Sequence, residues 1–184
     1  MKLFILGILF VFAKFNLQFI DTGVLYYATN IIGYGLIYTG LRSMSNEMNG
    51  IQRVLPFALF MILHSLGFAV LNGTGHSIKT IPLSTGTSTI LALSLVALAV
   101  AGMIMIVHII QQFILVIRTT NEDSLSYSNI TSLEKFPAMV IVLMIITGIL
   151  FFTFPAVAPI AMILLIVTEG LFVLKISSHA QYAL

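Results

Sequence analysis

The sequence predicts an all-α membrane protein, a bundle of six transmembrane helices in three hairpins with both termini cytoplasmic. Three observations predict it. Of 184 residues, 59% are hydrophobic and only 8% charged, with a mean hydropathy of +1.12, far from the balance of a soluble domain. Six apolar segments fill most of the chain, at residues 3–20, 24–41, 54–71, 89–117, 137–154 and 156–176. With the N-terminus inside, Lys2, Arg42, Arg53, Arg118, Lys135 and Lys175 share one side, Lys79 alone takes the other, and Lys14 falls within a span. That is the positive-inside asymmetry.

Most segments run about 18 residues, which at ~1.5 Å per residue gives roughly 27 Å, enough for a hydrocarbon core. The first, 3–20, opens like a signal peptide, but no small-residue cleavage site follows, and it reads as a retained anchor. The second, 24–41, follows the short turn Asp21-Thr22-Gly23. The third, 54–71, carries Pro56 near its start, a position where proline suits a helix. The fourth, 89–117, exceeds the core thickness and must tilt or protrude. The fifth, 137–154, is expected to begin at Pro137 in the same way as the third, and a Pro155/Pro159 corner turns it into the sixth, 156–176. Residues 72–88 and 119–136 are Gly-, Ser- and Thr-rich loops. The spans and loops consume the whole chain, which leaves a single transmembrane domain, residues 1–184.

Several function classes are excluded. The net charge of +2 comes from scattered basic residues without a clustered face, so nucleic acid is not an expected partner. The absence of cysteine removes disulfides and thiolate chemistry. No GxSxG elbow, HExxH, P-loop or dinucleotide fingerprint is present, so no enzyme activity, catalytic residue or cofactor is expected. His64, His76, His108 and His179 lie on different segments and depths, a poor set for a metal.

What remains is a small inventory of polar groups inside apolar helices, where such residues are costly and mark function or helix pairing. Lys14, Gln18 and Asp21 fall at i, i+4 and i+7 on one face of the first segment. Tyr27, Asn30, Tyr34 and Tyr38 stripe one face of the second, and Gly33, Gly35 and Gly40 thin that helix for close approach to a neighbour. His64 sits mid-span in the third. Ser94, Ala97, Ala101, His108 and Gln111 form a small-and-polar face on the fourth, suited to burial against another helix. Glu169 lies in the inner half of the sixth at a depth similar to His108, so a hydrogen bond between them is expected if those helices touch. Lys14, Gln18, Asp21, Asn30, Tyr34, His64, His108, Gln111 and Glu169 constitute the candidate intramembrane site.

The stretch from Asn16 to the third segment resembles a group of small multi-span integral membrane proteins of Gram-positive bacteria. Asn16, Asp21, Ile32, Gly33, Tyr34, Gly40, Leu41 and Arg42 carry the pattern; Thr29 and Asn30 stand where the group has proline and aspartate. The resemblance covers about the first third of the chain and implies a multi-pass protein of the bacterial cell membrane, without assigning an activity. Two functional readings follow. One is a non-enzymatic subunit, sensor or immunity-type protein that contacts another membrane protein, favoured by short loops and absent catalytic signatures. The other is a small-solute or ion binding or transport protein, with Lys14, Asn30, Tyr34, His64 and Glu169 around a polar intramembrane cavity.

Overall fold

A computed structural model describes residues 1–12, 23–46, 48, 50–76, 80–82, 84–120 and 127–180. Six α-helices account for almost all of them, and no strand occurs among the described residues: α1 (Lys2–Phe12), α2 (Val24–Met44), α3 (Leu55–Gly73), α4 (Gly86–Thr120), α5 (Tyr127–Thr153) and α6 (Ala158–Ala180). A short 3-10 turn, Ile51–Arg53, precedes α3.

Local chemistry sets several of these boundaries. Pro56 sits in the first turn of α3, where its missing N–H costs nothing. Just past its end lies Gly75, whose φ of 79° lets the His76 amide donate back to Leu71 O at 2.9 Å. The N-terminus of α4 is closed reciprocally: the Ser88 amide donates to Thr85 Oγ1 at 3.2 Å and the Thr85 amide to Ser88 Oγ at 3.3 Å. This cap explains why α4 starts at Gly86, ahead of the apolar run at 89. Pro137 does not start its helix. It lies inside α5, which begins at Tyr127 and forgoes one backbone hydrogen bond at the proline.

Each helix packs on its neighbours in the chain, and α1 closes the circle against α6; across the ring the Phe4 side chain of α1 meets Phe113 of α4 at 3.9 Å between ring centroids. The α1/α2 crossing is the tightest. A Cβ placed on Gly7 would fall 2.6 Å from Gly33 O, and one on Gly40 would fall 2.6 Å from the Phe4 amide nitrogen. As α1 advances from Phe4 to Val11, its contacts on α2 retreat from Gly40 to Gly33, so the two run antiparallel. Gly35 plays no part, since nothing lies within 4 Å of its would-be Cβ.

Three stretches are long and apolar enough to cross a membrane: Ile51–Gly73, Gly86–Thr119 and Ala158–Ser177. The remaining expected spans fall short for identifiable reasons. Only 11 residues of α1 are described, roughly 16 Å, because 13–22 lie outside the described residues. The 21-residue α2 is diluted by its tyrosines, threonines, asparagine and glycines. In α5 the described apolar stretch, Lys135–Leu150, is shorter than a full crossing. Large apolar side chains such as Leu174, Ile90, Leu63 and Leu171 are exposed on the outside, and the ring buries Asn30, Ser65, Thr147 and Glu169 within an otherwise apolar core.

Candidate functional site: a cavity inside the helical ring

The cavity forms because the stripe on α2 and a matching face on α3 both turn inward. Met61, His64, Ser65 and Phe68 recur at i, i+3, i+4 and i+7 and all face it, opposite Tyr27, Asn30 and Tyr34. With Phe12 from α1, Gly102 and Ile106 from α4, Val140 and Met144 from α5, and Glu169 from α6, all six helices line a cavity of about 90 Å³. Since a water needs roughly 10–15 Å³ of such space, the cavity has room for several waters or a small organic molecule. It extends from Tyr26 and Tyr27 in the first turn of α2 to Tyr34 and Glu169 deeper in the ring.

Its polar groups are set in an otherwise apolar wall. Asn30 is 7% exposed, Glu169 2% and Ser65 1%. The buried Oδ1 of Asn30 accepts no hydrogen bond among the described residues. An orphaned buried acceptor of this kind costs about 1–3 kcal/mol if nothing fills the gap. His64 bridges α3 to α4, its Nε2 lying 3.0 Å from Leu98 O. A carbonyl oxygen only accepts, so Nε2 carries a proton, and in the neutral ring Nδ1 then keeps a lone pair. The ring lies against Gly102: a Cβ there would be 2.6 Å from His64 Cε1. Phe68 packs against the imidazole at 4.8 Å between centroids and stacks on Tyr27 at 5.6 Å, giving the cavity an aromatic wall.

Of the residues expected at the site, the structure brings Asn30, Tyr34, His64 and Glu169 to one cavity. Tyr27 joins them, while Tyr38 packs against the core beyond it. Lys14, Gln18 and Asp21 lie outside the described residues. His108 is elsewhere: its ring meets the edge of Phe57 at 4.8 Å. The expected bond from His108 to Glu169 is not seen among the described residues: the imidazole is turned toward Phe57 on α3, while Glu169 lines the cavity. The expected buried face of α4 is also corrected. Ser94, Ala97, Ala101 and Gln111 are exposed, and α4 buries Ile106, Ile109, Ile110 and Phe113 instead, since bulky aliphatic and aromatic groups fill the ring better than small ones. The expected site omits Ser65 and Phe68, although their i+4 and i+7 spacing from Met61 puts them on one face of α3.

The described residues contain no group of three or more His, Asp or Glu able to hold a metal ion. The chain matches no protein-family model, no curated protein and no solved structure.

Proposed function

We propose that this chain is a non-enzymatic, multi-pass membrane protein that binds a small polar or amphipathic molecule inside its helical ring, as a receptor or transport component. One observation carries the reading: polar side chains from α2, α3 and α6 converge on a single cavity while the outer surface of the ring is apolar. Buried polar groups that served only to join helices would bond directly to one another, whereas Asn30 leaves its acceptor open. The proposal includes six crossings in three hairpins, with both termini cytoplasmic. Its supports are the antiparallel α1/α2 contact, the closed ring order and the basic residues Lys2, Arg42, Arg53, Arg118, Lys135 and Lys175 at alternate ends. The N-terminal resemblance supports the cell membrane of a Gram-positive bacterium as its place.

Native mass spectrometry of protein extracted in mild detergent tests the reading. Wild type should carry a small-molecule adduct that Ser65→Phe, which fills the cavity, lacks. Identical spectra for the two would count against a ligand site.

A subunit or sensor role rests on a different surface, the exposed Ser94, Ala97 and Ala101 face of α4, since small residues let membrane helices approach closely. Affinity capture in mild detergent tests it: a partner lost on Ala97→Trp and retained on Ser65→Phe would favour this role over ligand binding.

A further inference from the structure

We infer that the cavity selects a hydrogen-bond-donating, non-anionic small molecule, a polar head bearing O–H or N–H on an apolar body; this rests on the reading of the cavity as a ligand site. The orphaned group on the wall is an acceptor. Asn30 Oδ1 is a buried acceptor that nothing among the described residues satisfies. The Nε2–H of His64 is committed to Leu98 O, so in the neutral ring Nδ1 supplies a second acceptor on the adjoining helix.

The charge of the wall points the same way. No lysine or arginine is among the described residues that line the cavity, and Glu169 brings a carboxyl group to it. A carboxylate or phosphate ligand would meet the Glu169 carboxyl with no lysine or arginine among the described lining residues to receive it, which is costly at low dielectric. The apolar body is set by the remainder of the wall: Phe12, Met61 and Phe68, the last stacked on Tyr27, offer flat and flexible surfaces but no further charge. The polar head would therefore sit between α2 and α3, with the body against the aromatic wall.

Isomeric probes isolate the donor. Benzyl alcohol and anisole have the same atoms and nearly the same shape, but only the alcohol donates; benzylamine adds N–H donors and benzoate presents an anion. Affinities are read from the shift in unfolding midpoint of the detergent-solubilised full chain, with Ser65→Phe as the background for non-specific partitioning. Benzyl alcohol and benzylamine should bind about tenfold or more tighter than anisole and benzoate. Asn30→Leu should bring the alcohol-to-anisole ratio down to about one. If that variant does not fold, the isomer pair on wild type decides alone. Equal affinity for alcohol and anisole, or preference for benzoate, overturns the donor inference and leaves the ligand site standing. Silence from every probe alongside a natural adduct in the mass spectrum overturns it too, and silence from both ends the ligand-site reading with it.

Discussion

His64 is fixed by one hydrogen bond and by the side chain that Gly102 lacks. Gly102→Ala would set a methyl group 2.6 Å from the imidazole, and the ring would have to leave Leu98 O. The expected cost is about 1–3 kcal/mol of stability, visible as a lower unfolding midpoint in detergent. His64→Ala should relieve the clash, so the double variant would be less destabilised than the two single effects combined. Half of this arrangement was legible in the sequence. The spacing of Met61, His64, Ser65 and Phe68 marks one side of a helix, but Gly102 becomes their counterpart only through the α3/α4 register, which no local pattern encodes. His108 shows the same limit from the other direction: similar depth suggested Glu169, and the ring order gave it Phe57.

Helix by helix, the glycines of α2 separate two roles that look alike in sequence. Gly40 faces the backbone of Phe4, which cannot move aside, so Gly40→Ala should open the α1/α2 crossing and sharply reduce the folded fraction in size-exclusion chromatography. Gly35→Ala meets nothing within 4 Å and should leave stability unchanged or raise it by about 0.5–1 kcal/mol through helix propensity. A similar fold for both variants would refute the crossing. At the start of α4, Thr85→Ala removes the reciprocal cap and should cost about 1 kcal/mol, measurable as faster amide exchange in the first turn of that helix. The helices themselves were readable because a stretch with this hydropathy has few alternatives to a helix in lipid. Their ends were less so: the Thr85–Ser88 pair looked like loop, and Pro137 looked like a helix start.

For the whole molecule, the absence of cysteine makes the proposed crossings easy to test. Single cysteines at two exposed, described positions suffice. Thr74→Cys should react with a membrane-impermeant maleimide on intact cells, and Asn46→Cys only after permeabilisation; the reverse result would invert the topology. The membrane character and the inward stripe on α2 were legible from composition and from period. The closed ring was not, because α1 meeting α6 joins the two ends of the chain. The length of α4 has a consequence of its own. Its 35 residues measure ~52 Å, against a hydrocarbon thickness of ~30 Å. Even leaning at ~40°, the steep end of the usual range, a rod could hide only ~39 Å in the acyl region. More than two turns of α4 must then stand clear of the oily layer, a stub rising past the headgroups that sets how near any soluble body can come to the rim of the ring.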